Sequence, residues 1–169
     1  RHPWRRRLEQ WNPRHRAIFA LERELFGANG PRRIIVQSQL DARLLQTYFR
    51  VDCARLRLVR NGVDLKVFTP DDGADRHVVR AELGVAERHP MFVFASMDFR
   101  RKWLDSLLAA MTRLPTAESV LVVLGNGDLP RYTTLAQRMG LGGRVRFLGR
   151  QSQMSRFYRA ADAFVLPTI

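Results

Sequence analysis

A short basic segment between a predicted strand and a predicted helix is the clearest candidate for chemistry in this sequence. Residues 98–102 read Asp-Phe-Arg-Arg-Lys and follow the apolar run 91–95. A helix N-terminus offers unpaired N–H groups and the positive end of the helix dipole. With Arg100, Arg101 and Lys102 added there, the segment predicts a site for a di-anion, most often a phosphate group. A solvated helix start is the alternative interpretation of the same three residues.

A second loop of the same kind follows the next predicted strand. The apolar run 120–124 leads into residues 125–128, Gly-Asn-Gly-Asp, and then into another amphipathic segment. Successive strand–loop–helix units place their loops at the same edge of a parallel sheet. Two loops suited to binding anions at one edge would form half of a nucleotide pocket. This repeated context favours a phosphate site over a solvated helix start at residues 100–102.

Strands and helices alternate along the chain. Strands are predicted at 34–36, 56–59, 91–95, 120–124, 145–148 and 163–166, with helices starting after Asn12-Pro13, at Ser38, near 76, near 104, near 130 and at Ser152. This alternation predicts βαβ units and parallel sheets. For the four strands from residue 91 onward, right-handed crossovers predict the order 3-2-1-4. The crevice then lies outside the carboxyl ends of the first and fourth of these strands, where the basic loop opens.

Two further segments carry turn signals. The Asn61-Gly62 pair predicts a tight turn, because Asn and Gly tolerate positive φ. The Pro/Asp/Gly-rich stretch 68–73 is the predicted connector between two domains.

Composition limits the classes of function. The formal net charge is +13, and of 29 basic residues only Lys66 and Lys102 are lysine. Such a charge favours polyanionic partners: nucleic acid, anionic lipid or a phosphorylated glycan. A single cysteine, Cys53, excludes an internal disulfide and a multi-cysteine metal site, and fits a reducing cytosol. The four histidines lack metal-ligand spacing.

Several motifs resemble a known family when they are taken in order. They are Ser38 with its helix, Asn61-Gly62-Val63-Asp64, Phe68-x-Pro70, the Arg-Arg-Lys loop with Leu104-Asp105, Gly125-x-Gly127, Val145-Arg146-Phe147-Leu148-Gly149 and Tyr158-x-x-Ala161-Asp162-x-x-Val165-Leu166-Pro167. This series, from about 34 to 167, resembles the GT-B glycosyltransferases of family 4, also called group 1. Within that family, residues 12–23 and 99–102 look most like bacterial lipopolysaccharide core glucosyltransferases.

The resemblance implies an α/β fold with the Rossmann-like parallel sheets of a GT-B enzyme, in part. Residues 1–73 are expected to be the C-terminal part of the N-terminal acceptor domain with its connector. Residues 74–169 are expected to be the N-terminal half of the nucleotide-sugar-binding domain. The family's two donor-binding glutamates would follow Pro167, and the Gly-rich loop and catalytic face of the acceptor domain would precede Arg1. The chain is therefore expected to be a fragment truncated at both ends, inactive alone, and its catalytic residues are unknown.

The resemblance also implies an activity. It is the transfer of a hexose from a UDP-sugar, with retention of anomeric configuration, to a glycan or lipid-linked acceptor such as lipopolysaccharide core. Neither a metal nor another cofactor is expected beside the UDP-sugar donor.

Eight residues match the family's donor-nucleotide site: Arg100, Arg101, Lys102, Gly125, Gly127, Leu148, Gly149 and Arg150. Lys102 matches the lysine on the donor diphosphate, and the two glycines fall beside that diphosphate. The turn 148–150 falls where main-chain groups meet the uracil. The family's arginine five residues before the lysine is replaced by Met97, so either Arg100 or Arg101 must supply the second charge. The glycine after the lysine is replaced by Trp103.

Residues 1–26 interleave arginines with tryptophan and phenylalanine. This pattern predicts either attachment to an anionic membrane surface or a helix packed on the rest of the acceptor domain. The first fits a cytoplasmic enzyme that is peripheral on the cytosolic face of the inner membrane. The alternative function is a basic α/β module that binds nucleic acid or membrane surfaces without catalysis. No nucleic-acid recognition motif is present, so a nucleic-acid partner is not expected.

Overall fold

The computed structural model describes residues 13–70, 73–115 and 118–168. In chain order the elements are α1 (Pro13–Phe26), β1 (Ile34–Val36), α2 (Gln39–Phe49), a 3-10 turn (Cys53–Arg55), β2 (Leu56–Leu58), α3 (Ala74–Leu83), β3 (Met91–Ala95), α4 (Leu104–Arg113), β4 (Val120–Leu124), α5 (Leu129–Arg138), β5 (Val145–Gly149), α6 (Met154–Ala160) and β6 (Ala163–Phe164). They divide into two compact units, Arg1–Val63 and Asp64–Ile169. Residues 1–12, the first part of the predicted membrane segment, lie outside the described residues.

The first unit contains a two-stranded parallel sheet, β1 beside β2, with Ile34 paired to Leu56. Helix α2 begins at the predicted Ser38 cap. The Ser38 hydroxyl accepts the Asp41 N–H at 3.0 Å, and the Asp41 carboxylate accepts the Ser38 N–H at 3.1 Å. This reciprocal capping box satisfies two helix-terminal donors at once, which explains why the helix starts there.

The second unit contains a four-stranded parallel sheet in the order β5-β4-β3-β6. This arrangement confirms the predicted 3-2-1-4 order. Strand β3 pairs with β4 from Met91 opposite Val120 onward. Strand β6 pairs with β3 over two residues and is shorter than predicted. One further main-chain bond follows, from Val165 N to Val93 O at 2.8 Å, and Pro167 then has no N–H with which to extend the ladder.

Helices cover both faces of this sheet. All five residues of β4 are buried, as expected for a parallel strand with helices on either side. On one face, α4 and α5 enclose a core that includes Phe94, Leu121 and Val123. On the other face, α3 and α6 pack against Val93 and Val122. The strand ends, and the loops that follow them, are thereby fixed.

Two local predictions are wrong. Neither Asn61 nor Gly62 has a positive φ. The turn forms instead at Asp64, whose carbonyl accepts the N–H groups of residues 67 and 68 and whose carboxylate accepts the Lys66 N–H at 2.9 Å. Helix α6 begins at Met154, with residue 153 rather than Ser152 at its N-cap.

Part of the predicted connector packs within the second unit. Residues 64–70 belong by their contacts to the second unit. Arg159 donates to the Val67 carbonyl at 3.1 Å, and the rings of Phe68 and Tyr158 lie 6.0 Å apart. By these contacts the compact units divide between Val63 and Asp64.

A buried arginine holds together the sheet edge at which β3 and β6 begin. Arg80 is fully buried and donates to the carbonyls of Ala160 (3.1 Å), Ala86 (3.0 Å) and His89. Its guanidinium lies 3.5 Å from a carboxylate oxygen of Asp162, which also accepts the Met91 N–H at 2.7 Å. A buried cation needs such partners, because its desolvation is otherwise uncompensated.

Burial alone would raise the pKa of Asp162, but its hydrogen bonds from Met91 N and Arg76, with the charges of Arg76 and Arg80, lower it overall. The folded-state pKa therefore lies below the unfolded value of about 3.9. The stability that this carboxylate contributes is fully present above the unfolded pKa and is lost as pH falls through the folded-state pKa.

We expect Asp162→Ala to lower the free energy of unfolding by about 2 kcal/mol at neutral pH, because it removes the acceptor of Met91 N and a carboxylate partner of the buried Arg80. The matched control is Glu82→Ala, which removes the exposed Arg156–Glu82 pair at 2.7 Å and should cost under about 1 kcal/mol. Urea unfolding measures both variants. The cost of Asp162→Ala should shrink in acid, and a cost that is independent of pH would contradict this account.

Candidate functional site

Three loops meet at the carboxyl edge of the four-stranded sheet. They are the anion loop (residues 96–103, between β3 and α4), the glycine loop (125–128, between β4 and α5) and the β5–α6 loop (150–153). Main-chain hydrogen bonds join their bases: Ser96 N donates to Leu124 O at 3.0 Å, and Gly125 N donates to Gly149 O at 2.8 Å. The structure thus brings together at one edge the loops that the sequence predicted to converge.

The anion loop is a compact turn that precedes helix α4. Asp98 N donates to the Ser96 hydroxyl at 2.9 Å, and the Asp98 carboxylate accepts the Arg101 N–H at 2.9 Å. Lys102 N donates to the Asp98 carbonyl at 3.1 Å, and Leu104 N, the first of the helix, donates to the Phe99 carbonyl at 3.0 Å. These donors are already satisfied. These N–H groups are therefore not available to an anion, and the side-chain charges of the loop are its main candidate partners.

Three cations in this loop carry uncompensated charge. Arg100 and Arg101 are exposed and Lys102 is half-buried. Among residues 13–70, 73–115 and 118–168, no ion pair joins any of these three side chains to a carboxylate. The nearby carboxylates are engaged with main chain: Asp98 with Arg101 N, and Asp128 with the N–H of residue 131 at 3.2 Å. The positive charge at this edge is therefore available to an anion from outside the chain.

The two predicted glycines are required because the glycine loop approaches the anion loop closely. Gly125 has φ +120°, and a Cβ there would overlap the Ser96 carbonyl. A Cβ at Gly127 would overlap the ring of Phe99, which is 1% exposed. A larger residue at either position would push the glycine loop away from the anion loop, so these glycines set how near the two loops come.

Trp103, which replaces the family's glycine, adopts the left-handed conformation with φ 55° and ψ 41°. Glycine takes this conformation without strain, whereas an L side chain pays about 1 kcal/mol or more for it. The turn expected of glycine is thus kept, and its indole remains 44% exposed beside Lys102.

The third predicted element is the turn at residues 148–150. Gly149 has φ +67°, and Arg150 is exposed. The Leu148 carbonyl accepts the Gln151 side-chain amide at 2.8 Å, and the Leu148 side chain packs against the core. One lone pair of that carbonyl is therefore already occupied by the chain itself.

Sequence reasoning missed four residues of this edge, namely Ser96, Phe99, Tyr132 and Gln151. The Ser-x-Asp spacing at 96–98 is a recognised turn signal and could have indicated the first. The others act through contacts between distant segments. In the described ranges, no group of three or more His, Cys, Asp or Glu is placed to hold a metal ion. None of the described helices has the length and hydropathy needed to cross a membrane.

We expect Gly125→Ala to lower the free energy of unfolding by at least about 2 kcal/mol, because it adds both an overlap with Ser96 and a strained φ. Gly143→Ala is the matched control, since a Cβ there meets nothing within 4 Å, and it should stay within about 0.5 kcal/mol. Thermal and urea unfolding measure both. Equal stability of the two variants would show that the loops are not held this closely.

Comparison with known proteins gives consistent results. A family model described as glycosyl transferases group 1 matches residues 75–169. The D-inositol 3-phosphate glycosyltransferase of Mycobacterium sp. (strain KMS) is 36% identical over 143 residues, covering 80% of this chain and 32% of that protein. The chain thus spans about a third of the length of the curated relatives it matches.

Solved structures show the same fold. WaaG, a glycosyltransferase involved in lipopolysaccharide biosynthesis, superposes with a TM-score of 0.82 at 21% identity, covering 95% of this chain and 45% of that chain. Anabaena HepE in complex with UDP gives a TM-score of 0.71 at 20% identity, covering 80% of this chain and 38% of that chain. These likenesses confirm the predicted α/β GT-B fold class. With the family match over residues 75–169, they lead to one conclusion: this chain belongs to the group 1 glycosyl transferases.

Proposed function

We propose that the protein containing this chain is a retaining glycosyltransferase that transfers a hexose from a UDP-sugar to a glycan or lipid-linked acceptor. In this proposal residues 74–169 belong to the half that binds the nucleotide sugar, and residues 1–73 belong to the acceptor half together with the connector between the halves. Neither a metal nor another cofactor takes part.

The observation that carries the proposal is the uncompensated charge of Arg100, Arg101 and Lys102. These cations lie beside the glycine loop, whose two glycines allow a close approach of the main chain. A diphosphate needs cations near its oxygens and needs main chain that lets it approach closely. Departure of UDP leaves negative charge on the β-phosphate, and fixed cations stabilise that developing charge. Lys102 is half-buried and would act as the fixed charge, with Arg100 or Arg101 as the second.

The related proteins support the donor more than the acceptor. HepE has been solved in complex with UDP-glucose, which favours a UDP-sugar for this chain. The names of the relatives point to different acceptors, inositol phosphate for the mycobacterial enzymes and lipopolysaccharide for WaaG. An anionic acceptor agrees with both and with the formal net charge of +13.

The uracil end of the donor is proposed to lie at the turn 148–150. The positive φ of Gly149 turns the chain sharply after β5, and the Leu148 carbonyl retains one free lone pair beyond its bond to Gln151. Arg150, exposed at the same turn, adds a further cation on the nucleotide side.

In the full-length protein, we expect Lys102→Ala to weaken UDP binding and kcat/KM by about tenfold to a hundredfold, because a charge-assisted phosphate contact is lost. Lys66→Ala is the matched control: it removes the other lysine of the chain, which is exposed outside the three loops. Isothermal calorimetry with UDP and steady-state kinetics measure both. Wild-type behaviour of Lys102→Ala would remove the diphosphate role.

We also propose that residues 1–26 contact an anionic membrane surface, which would keep the enzyme peripheral on the cytosolic face. Helix α1 leaves Ile18, Leu21 and Leu25 exposed at 45%, 55% and 41%. Arg16 and Arg23 lie on the same helix and are exposed. Apolar side chains with flanking cations suit a membrane interface, and they equally suit packing against the rest of an acceptor domain.

The double variant Leu21→Glu/Leu25→Glu separates these two roles. For membrane contact, we expect lost co-sedimentation with anionic vesicles at low salt and an unchanged melting temperature. Leu40→Glu is the control, at an exposed leucine of helix α2. It should change neither co-sedimentation with vesicles nor the melting temperature. A lowered melting temperature with vesicle binding retained would instead assign α1 to packing within the protein.

A further inference from the structure

A chain of contacts behind the donor site connects the anion loop to the glycine loop. The ring of Phe99, in the anion loop, lies directly under Gly127, where a Cβ would overlap it. The same ring meets Tyr132 of helix α5 edge-on, with centroids 5.5 Å apart and planes at 83°. Phe99 and Tyr132 are each 1% exposed, so neither ring has room to move aside.

A hydrogen bond completes this connection. The Tyr132 hydroxyl donates to one carboxylate oxygen of Asp105 at 2.7 Å. Asp105 is the second residue of α4, the helix that leaves the anion loop, and Tyr132 is in the first turns of α5, the helix that leaves the glycine loop. The other Asp105 oxygen lies 3.7 Å from the guanidinium of Arg131. The buried Tyr132 bond and this longer, exposed ion pair therefore both join the starts of the two helices.

The hydroxyl remains a donor throughout the physiological range. Burial, followed by the hydrogen bond to Asp105 and the charge of that carboxylate, raises the pKa of Tyr132 to about 12. The bond is thus a neutral donor on a charged acceptor, which is stronger than a neutral pair.

We propose that Tyr132 is a positioning residue for the donor site: its bond to Asp105 and its ring contact with Phe99 hold the anion loop and the glycine loop at a fixed separation. This inference rests on the proposed role of those loops in binding the donor. Tyr132 touches no donor atom in this account. It acts by keeping the cations of one loop above the glycines of the other.

The effect on binding follows from how steeply phosphate contacts depend on geometry. Without the bond, the loops remain joined by main-chain bonds at the sheet edge and by packing, while the starts of α4 and α5 can shift against each other. Small displacements of a preorganised charge cost affinity even when the fold is intact. The Asp105 side chain is 44% exposed, so water can satisfy it and the fold should survive loss of the hydroxyl.

The test is Tyr132→Phe in the full-length protein, which keeps the ring and removes the bond. Without nucleotide, we expect faster amide hydrogen exchange in residues 96–103 and 125–128. With UDP, we expect Kd to rise about three- to tenfold, the loss of roughly one net hydrogen bond. Tyr158→Phe is the matched control on α6, on the opposite face of the sheet, and should change neither quantity.

A mutant cycle assigns the effect to this one bond. Asp105→Asn keeps an acceptor and should perturb loop exchange less than Asp105→Ala. The double variant Tyr132→Phe/Asp105→Ala should be no worse than the more damaging single variant, because both remove the same contact. Additive effects would overturn the proposal.

Two other outcomes are equally decisive. Unchanged loop exchange in Tyr132→Phe would overturn the proposal, and so would exchange that accelerates uniformly through strand β4, since that indicates global destabilisation. If the wild-type protein bound no UDP, the proposed function would fail. The exchange measurement would still decide whether Tyr132 couples the two loops.

Discussion

The close pairing of strands β3 and β4, continued past their ends into the loops, is the constraint on which the rest of the second unit depends. Ser96 N, one residue beyond β3, bonds to the carbonyl of Leu124, the last residue of β4, and Gly125 then passes so near Ser96 that no side chain fits between them. Because both strands are buried between helix layers, this edge cannot slide to relieve crowding. The strand ends therefore fix where the loops begin, and short hydrogen bonds within each loop fix the course of its backbone.

The arginine excess of the sequence has a spatial order in this unit. Arg76, Arg80, Arg156 and Arg159 face carboxylates, and Arg80 lies wholly inside the protein. These pairs gather where β3 and β6 begin and on the helices of one face, where they join α3 to α6. The cations of the anion loop, at the opposite end of the strands, have no such partners among the described residues. Ion pairs therefore stabilise the end of the sheet at which β3 and β6 begin, and the unpaired cations of the anion loop lie at the opposite end.

This separation of paired from unpaired charge explains how the anion loop can hold a defined shape and still have cations available to bind an anion. Asp98 uses its carboxylate on the loop's own main chain, so it shapes the turn without approaching the guanidinium of a neighbouring side chain as an ion pair. Phe99 fills the space under Gly127 and anchors the turn from below. The left-handed Trp103 carries strain at the same place, and the surrounding bonds overdetermine the backbone enough to hold it. In our proposal the affinity of this site depends on buried residues that do not touch the ligand.

The sequence by itself determined the order of elements, the parallel 3-2-1-4 sheet and the edge at which the candidate donor-site loops lie. Apolar strands alternating with amphipathic helices leave few topologies once crossovers must be right-handed. It also located Lys102 and the glycines, because residue type and position after a strand are local information. It misplaced the Asn61-Gly62 turn, which forms at Asp64 instead, and the α6 cap, where residue 153 takes the N-cap position without a side-chain hydrogen bond.

Only the tertiary structure decided which cations are free, how near the loops approach and what supports them. Tyr132 and Asp105 are 27 residues apart in sequence, and nothing in either local pattern marks them as partners. Their bond exists because α4 and α5 pack side by side on one face of the sheet, which brings the first turns of both helices together. Periodicity fixes which face of a helix is buried, but the contact between two buried faces depends on the packing of the whole layer.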